Sequence, residues 1–353
     1  MADPIRIGVI GTGGIFRSLH VPYLEQTSLA KVVAVTDMNP DAAQAQGEKF
    51  GAAVCKDYAE LLARDDVDAV DVCTHPRPHH AIAIAAAEAG KHILIEKPMC
   101  RTVDEGTEMI DAAKTAGVKL QVAYMMRFHP CYLKLKELLD NGTLGEAHLT
   151  YRNLISWFPP KHPWLFNKEE SGGMLVEQSI HFLDLWIWLF GPVSSVYART
   201  STVDVGGTYP PMDKAVENNA TVVATFDSGA TGMLIKSWAA EVGLAGDGLV
   251  ATKGSATFSQ KEVRWKTHDM ADAEVFVPAV PDDGSYPQLT GDARASRYWS
   301  CASKGRGIEH WLRCILGEDE PTTSGEVGRA GIAIAEAAYR SAKSGTPTAV
   351  QVQ

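Results

Sequence analysis

Short β-branched runs alternate with longer alanine-rich segments over residues 5–123, and this order most constrains the fold. The alanine-rich segments, such as 80–89 and 104–116, repeat apolar residues at helical spacing. Strands that alternate with helices predict a parallel sheet, because a helix supplies the crossover that parallel strands need. The five strand-like runs are Ile5–Ile10, Val32–Val35, Ala69–Val72, His92–Ile95 and Leu120–Ala123.

The pattern changes after Arg127. A helical segment near 131–140 leads into strand-like stretches, with the turn Asp227-Ser228-Gly229 between two of them and no helices among the later ones. A large, mostly antiparallel open sheet is predicted, followed by an amphipathic helix over 324–343. The strand-like stretches are 147–157, 193–203, 217–226, 230–238, 248–258 and 261–267.

The length of 353 residues exceeds what one hydrophobic core usually organises. We therefore expect two domains, with α/β architecture over residues 1–123 and α+β architecture over residues 124–353. The closing helix of the second domain could pack back on the first.

Charge and cysteine usage narrow the class of protein. The formal net charge is -10, without a Lys/Arg-rich cluster, so we expect neither nucleic acid nor a membrane surface as a partner. Six cysteines without a Cys-x-x-Cys pair indicate reduced thiols rather than a zinc ribbon or a disulfide framework. The N-terminus carries no apolar signal core, and we expect a cytoplasmic protein.

A glycine cluster, GVIGTGGIF, lies where the first strand gives way to a helix. Gly11 suits the tight turn, and Gly13 lets the backbone approach a pyrophosphate at the helix N-terminus. Phe16 occupies the third small position and breaks the strict Gly-x-Gly-x-x-Gly/Ala form, so an ordinary glycine turn is the alternative. The predicted cofactor-binding residues here are Gly11, Thr12, Gly13, Gly14 and Ile15.

The end of the second strand weakens that alternative. Asp37 can accept hydrogen bonds from both adenosine ribose hydroxyls and would repel a 2′-phosphate, and Met38 adds no positive charge. The two features together predict a Rossmann dinucleotide-binding domain that prefers NAD, with NADP not excluded.

The stretch LIEKPMC follows the fourth long run with an acid, a base and a proline. Sheets of this kind bind ligands beyond the carboxyl ends of their strands, which is where Glu96 and Lys97 fall. Lys97 can hydrogen-bond a substrate hydroxyl, while Pro98 restricts it to extended backbone geometry. The alternative is a surface ion pair at a strand end.

In GGMLVEQSIHFLDLWIWLFG, one helical face would carry Glu177, His181 and Asp184. The other positions are almost wholly apolar. A histidine on such a helix is either a general acid/base or a satisfied core residue, and the pattern alone leaves both open.

Several of these segments resemble the Gfo/Idh/MocA oxidoreductases, which include glucose-fructose oxidoreductase and inositol dehydrogenases. The resemblance covers almost the whole chain, and AGKHILIEKP is its most specific string. The other strings are GVIGTGGI, VCTHPRPHHAIAIAAAEAGKHILIEKP, YMMRFHP, SGGMLVEQSIHFLDLWIWLFG and SGEVGRAGIAIAEAAYRSAKSGTP.

The resemblance implies roles for individual residues in the first domain. Lys97 becomes the catalytic-site lysine, Glu96 a neighbour of the nicotinamide ribose, and Thr74 and His79 neighbours of the cofactor. Many relatives read Thr-Pro-Asn-x-x-His where this chain has Thr-His-Pro-Arg-Pro-His.

The same resemblance assigns His181 as general acid/base. Relatives commonly show Asp-x-Gly-x-His there, whereas this chain has Glu177 and Ser179 in the Asp and Gly places. The implied reaction is hydride transfer between a carbinol carbon of a sugar or cyclic polyol and the nicotinamide, with Lys97 stabilising the developing alkoxide. The alternatives are a redox-neutral glycosidase or lyase that oxidises a sugar transiently, and an inactive cofactor-binding regulator.

Residues near the predicted domain boundary and before the His181 segment complete the predicted site. Arg127 resembles a family substrate-pocket arginine, with an interdomain salt bridge as the alternative. Trp157, His162 and Trp164 can stack on a sugar or pack against the sheet or a second subunit, and no metal site is predicted. We also expect the open sheet to mediate a homodimer or homotetramer.

Overall fold

The computed structural model describes residues 3–158, 162–205, 216–282 and 288–352. These residues divide into two compact units. The first comprises Met1–Met125 and Ser300–Arg329, and the second comprises Met126–Trp299 and Ala330–Gln353. The predicted division after residue 123 stays a prediction.

The first unit contains a six-stranded, wholly parallel sheet with strand order β3-β2-β1-β4-β5-β6. This confirms the predicted Rossmann class, in which the strand order reverses beside β1. The two-residue strand β3 lies at the edge and is too short to leave a β pattern in the sequence. The strands are β1 Ile5–Ile10, β2 Ala30–Thr36, β3 Ala53–Val54, β4 Ala69–Val72, β5 His92–Ile95 and β6 Leu120–Val122.

Helices of this unit begin and end at residues suited to those positions. The Asn39 side chain accepts from the backbone N–H of Asp41, and Thr102 accepts from Glu105. The glycine that ends the second of these helices, Gly117, has φ +68°. The helices are a π-helical turn Phe16–His20, α1 Val21–Leu24, α2 Pro40–Phe50, α3 Tyr58–Leu62, α4 His79–Glu88 and α5 Val103–Ala116.

The second unit contains a nine-stranded sheet in which only the β7–β10 pairing is parallel among the described strands. The predicted mostly antiparallel sheet is confirmed, as is the hairpin turn at Asp227–Gly229, where Gly229 has φ +85°. The strands are β7 Ala147–Trp157, β8 Val193–Ser201, β9 Asn219–Phe226, β10 Thr231–Ser237, β11 Ala239–Ala251, β12 Gly254–Phe258, β13 Val263–Thr267, β14 Glu274–Phe276 and β15 Thr348–Ala349.

One predicted strand was wrong. The stretch 248–258 is two strands, because the chain turns at Thr252 and Lys253 and pairs Gly248 with Thr257. The short helices of this unit are α6 Pro130–Asp140, α7 Lys168–Ser171, α8 Met174–Glu177 and α9 Ile180–Phe190, with 3-10 turns at Met125–Phe128 and Pro163–Phe166.

Two long helices run through residues of both units, α10 Gly291–Leu316 and α11 Gly325–Ser344. The C-terminal half of α10 buries Ile308, Trp311 and Leu312 in the core of the first unit, against Val9 and Leu94. The closing helix predicted at 324–343 is confirmed as α11, whereas α10 was missed.

The core of the second unit lies between one face of its sheet and helices α6 and α9. Tyr132 and Leu135 of α6 and Phe182 of α9 pack with Leu249 and Trp265 of the sheet. The inner face of the sheet, defined here by Thr150, Arg152, Leu234, Lys236 and Asp247, points toward these helices.

Candidate active site

The glycine turn after β1 is built for close backbone approach. Gly11 has φ +95°, and a Cβ there would stand 2.8 Å from the carbonyl carbon of Cys73. Its N–H donates to the Thr36 carbonyl at 2.9 Å. No other residue type fits this turn without moving the strand beside it.

Gly13 and Gly14 have open space beside them instead. A Cβ at either position would meet no atom within 4 Å, and the helical segment begins at Gly14. Ile15 next to them is 49% exposed. Open space against a helix N-terminus suits a pyrophosphate, so the residues present fit a dinucleotide.

Asp37 is held at the end of β2 by the same turn. Its Oδ2 accepts from the Thr12 N–H at 2.6 Å and lies 3.2 Å from the Thr12 hydroxyl oxygen, while its Oδ1 accepts from the Asn39 N–H at 2.8 Å. These bonds keep the carboxylate fixed and leave an acceptor position open on Oδ1.

Glu96 is the centre of a buried charge network at the end of β5. Its Oε1 accepts from Lys304 Nζ and lies 2.8 Å from His20 Nε2. The opposite ring nitrogen of His20 lies 2.7 Å from Asp71 Oδ2. Lys304 Nζ also donates to the Ala123 carbonyl at 3.3 Å. Two carboxylates therefore face two basic side chains, and we call these four side chains the Glu96 network.

The ionisation of this network follows from its partners. Burial opposes the charge of Glu96, but the Lys304 ammonium and the His20 ring hold the pKa of Glu96 well below its ordinary value. Burial likewise opposes charge on His20, yet Asp71 and Glu96 raise the pKa of His20. Cys73 lies beside His20 and Asp71, but both ring nitrogens of His20 already face carboxylate oxygens at hydrogen-bond distance and therefore offer no free lone pair, so the group does not suit a metal.

Lys97 follows the network directly, and its N–H donates to Glu96 Oε2 at 3.1 Å. The Lys97–Pro98 peptide bond is cis. His79 lies beneath this corner, with ring nitrogens 2.9 Å from the Pro98 carbonyl and 3.2 Å from the Thr74 carbonyl. The structure thus brings Thr74, His79, Glu96 and Lys97 together at the carboxyl ends of β4 and β5.

The predicted single helix through Glu177 and Asp184 was wrong. Helix α8 ends at Glu177, and the Ser179 N–H donates to the Met174 carbonyl five residues back, which shifts the register before α9 begins. Glu177 is 8% exposed, His181 is partly exposed on α9, and Asp184 is fully buried. They belong to the second unit, whereas Lys97 belongs to the first.

Arg127 forms a buried ion pair within the second unit. Its guanidinium donates to the Asp184 carboxylate at 2.7 to 3.0 Å and lies 5.7 Å from the Trp188 ring centroid. Burial raises the pKa of Asp184 to about 6, against the opposing effect of Arg127. Arg127 was predicted to contact substrate or to form an interdomain salt bridge; its ion pair with Asp184 lies within the second unit, and the substrate contact stays a prediction.

The aromatic segment divides into packed and more exposed members. Phe158 stacks on Trp238 with ring centroids 5.2 Å apart, and Phe166 meets the same ring edge-on at 5.4 Å. Trp157 and Trp164 are partly exposed and His162 is exposed, while Pro159 and Pro160 lie outside the described residues. Packing thus accounts for the two phenylalanines.

A charged cluster on the inner face was missed. Arg152 Nη1 donates to Asp247 Oδ2 at 2.5 Å, and its guanidinium lies 3.1 Å from the Phe182 ring centroid. Lys236 is only 2% exposed. Burial, together with the nearby charge of Arg152 and against the opposing charge of Glu177, lowers the pKa of Lys236 to about 7.

Known proteins resemble the chain along both units. Residues 5–124 match the model described as oxidoreductase family, NAD-binding Rossmann fold, and residues 132–257 match the GFO/IDH/MocA C-terminal domain. Myo-inositol 2-dehydrogenase of Thermotoga maritima is 34% identical over 66% of this chain and 68% of its own length. The chain belongs to the Gfo/Idh/MocA oxidoreductase family.

Further comparisons agree with this assignment. D-glucoside 3-dehydrogenase of Escherichia coli is 32% identical over 68% of this chain and 72% of its own. The WlbA dehydrogenase of Bordetella pertussis, solved with NADH and UDP-GlcNAcA, superimposes with a TM-score of 0.83 at 26% identity, covering 100% and 99% of the two chains. This chain is therefore an NAD-binding oxidoreductase of a family whose named members act on sugars and polyols. Among its described residues, no helix is both long and apolar enough to span a bilayer.

Proposed function

We propose that this oxidoreductase transfers hydride between NAD and a hydroxyl-bearing or keto carbon of a sugar, sugar derivative or cyclic polyol. The observation that carries the proposal is the corner where Lys97 follows the Glu96 network, at the same sheet edge as the glycine turn. The named activities of the inositol and glucoside dehydrogenases support the substrate class.

The first unit would hold the cofactor through its glycine turn and Asp37. Bound NAD would supply the hydride acceptor. Gly13 and Gly14 would leave room for the pyrophosphate, and the fixed Asp37 carboxylate would accept from a ribose hydroxyl and repel a 2′-phosphate. We expect Asp37→Ala to weaken NAD binding more than NADP binding, measured by quenching of protein fluorescence. Equal losses for both would contradict this role.

Three side chains would act on the substrate. His181 would accept the hydroxyl proton while the carbinol C–H bond loses its electron pair as hydride to NAD. The C–O single bond would thereby become a C=O double bond. Lys97 donates a hydrogen bond to the oxygen as negative charge develops there. Glu177 binds a substrate hydroxyl or orients His181. Arg127, Trp157, His162 and Trp164 are kept as substrate contacts in this proposal.

Substitutions at Lys97 and His181 distinguish a loss of catalysis from a loss of folding. We expect Lys97→Met and His181→Asn each to lower kcat by about 100- to 10,000-fold, with NADH affinity within about threefold of the parent. The matched controls are Lys31→Met and His148→Asn, at exposed strand positions. Unchanged turnover in either active-site variant would overturn the assigned role.

We also propose that the outer face of the nine-stranded sheet pairs two copies of the chain. Tyr197, Val223, Met233 and Tyr151 lie in one register row across four strands, and Tyr197 and Met233 are 39% and 36% exposed. Apolar rows of this kind are costly to leave in water. Sedimentation should show a dimer or tetramer, and Met233→Lys should weaken it; a monomeric parent at micromolar concentration would refute this.

A further inference from the structure

The inner face of the second unit holds a lysine whose environment calls for a ligand. Lys236 lies in β10 with Leu154 and Ala220 as its register partners, neither of which carries a charge. Its side chain is 98% removed from solvent, and no described residue accepts a hydrogen bond from its ammonium. The small exposed part of Lys236 includes its ammonium, because Nζ is not among the fully buried side-chain atoms that lack a hydrogen-bond partner. A nearly buried cation at such a point calls for a partner that reaches it from outside the packed side chains.

Neighbouring charged side chains do not supply such a partner for Lys236. The other basic side chains on or beneath this face are matched: Arg152 pairs with Asp247, and Arg127 pairs with Asp184. Glu177 attracts Lys236, but no carboxylate of the described residues lies at ion-pair distance from it. The repulsion from Arg152 and the loss of water outweigh that attraction, and burial lowers the pKa of Lys236 to about 7.

The position of Lys236 relates it to the proposed catalytic helix. Trp238, two residues further on, donates from its indole N–H to Gln178 Oε1 at 2.5 Å, in the break between Glu177 and His181. A cavity of about 810 Å³ lies along the same inner face; Leu154, the register partner of Lys236, lines it, whereas Lys236 itself is not among its lining residues. A cavity of this size accommodates a monosaccharide.

We propose that Lys236 is a specificity-determining residue that binds a carboxylate substituent of the substrate, so that the enzyme prefers acidic sugars to their neutral counterparts. The inference rests on the proposed function for its substrate class. A carboxylate would complete the missing ion pair and offset the loss of water around the ammonium, whereas a neutral hydroxyl would leave that charge uncompensated.

The test compares two nearly isosteric ligands, D-glucuronate and its neutral amide, D-glucuronamide. Each is titrated calorimetrically into the NADH-loaded protein at about pH 6 and about pH 9, on either side of the Lys236 pKa of about 7. At the lower pH, we expect glucuronate to bind about 10- to 100-fold more tightly than glucuronamide. At the higher pH, this difference in affinity should be smaller. Because Glu177, His181 and Arg152 are ionisable or charged groups nearby, the affinity for the amide is the reference at each pH.

Substitution assigns the preference to this side chain. Lys236→Met should abolish the preference while leaving glucuronamide affinity within about threefold, because methionine replaces the buried stem without the charge. Lys266→Met, at an exposed position on β13, should keep it. If Lys236→Met does not fold, the pH dependence of the parent still decides the matter.

Specific results would overturn the inference. These are equal affinity for the two ligands, no binding of either, an unchanged preference across pH, or an unchanged preference in Lys236→Met. Because calorimetry needs no turnover, failure of the parent to oxidise any sugar would count against the proposed function and leave this comparison valid.

Discussion

The Glu96 network in the first unit and the surroundings of Lys236 in the second both bury charge, but they treat it differently. In the network, Lys304 and His20 each contact a carboxylate at hydrogen-bond distance. Lys236 is as deeply buried, yet its nearest influences are a repelling Arg152 and a more weakly acting Glu177. Lys304 is thus held by a carboxylate of its own unit, whereas Lys236 has no ion-pair partner among the described residues, as the proposed binding of a substrate carboxylate requires.

The largest expected difference comes from the same substitution at the two lysines. Lys304→Met leaves Glu96 buried beside Asp71 with one cation fewer, and should lower the free energy of unfolding by about 3 to 5 kcal/mol. Lys236→Met removes a desolvated charge and should be neutral or stabilising at neutral pH. Urea unfolding of both variants checks this, and equal losses of stability would contradict the expected difference between the two lysines.

The next largest effect should be the pH dependence that Lys236 gives to the free energy of unfolding. The unfolded lysine keeps its proton to near pH 10.5, whereas burial lets the folded one release it near pH 7. Stability contributed by this depressed pKa is therefore present above about pH 10.5 and is lost as the pH falls from there to about 7. Between about pH 7 and about pH 9, the parent should gain about 2 to 3 kcal/mol relative to Lys236→Met. A flat difference across this window, in unfolding experiments, would contradict it.

A double-mutant cycle should show coupling inside the Glu96 network. Adding Glu96→Gln to Lys304→Met removes the charge that the first change left uncompensated. The double variant should be about 1 to 2 kcal/mol more stable than the sum of the single effects predicts. Additive losses would mean that the two side chains do not act as a pair.

The smallest effect on stability is expected at Thr12, the uncharged side chain of the glycine turn that contacts Asp37. Thr12→Val removes the hydroxyl next to Asp37 but keeps the backbone hydrogen bond of 2.6 Å. The free energy of unfolding should fall by about 0.5 to 1.5 kcal/mol, with NAD affinity reduced less than by Asp37→Ala. Thermal unfolding with and without NAD measures both, and a larger loss than for Lys304→Met would reverse the ranking.

The sequence predicted the features that leave local patterns. Five of the six strands in the sheet of the first unit, the glycine turn and the β9–β10 hairpin follow from β-branched runs and glycine positions. Helix α10 was missed because glycines and charges interrupt its apolar stripe. The break before His181 depends on a shifted hydrogen bond at Ser179 that no residue pattern announces.

Contacts between charged side chains that lie far apart in the sequence could not be predicted from local residue patterns. Asp71 inside an apolar strand was the available signal for a buried partner, but its connection through His20 and Glu96 to Lys304 spans more than two hundred residues. Lys236 gave no signal, since a lysine in a strand normally faces water. Only the register of β10 turns it inward.

The most direct test of the account is nicotinamide absorbance with NAD and a panel of inositols, neutral sugars and uronates, using the parent, Lys97→Met and His181→Asn. We predict that NADH accumulates with the parent, most rapidly for an acidic sugar, and falls at least about 100-fold in both variants. Turnover that survives both substitutions, or NAD that binds without any NADH formed across the panel, would contradict the assignment of this chain as a sugar or polyol dehydrogenase.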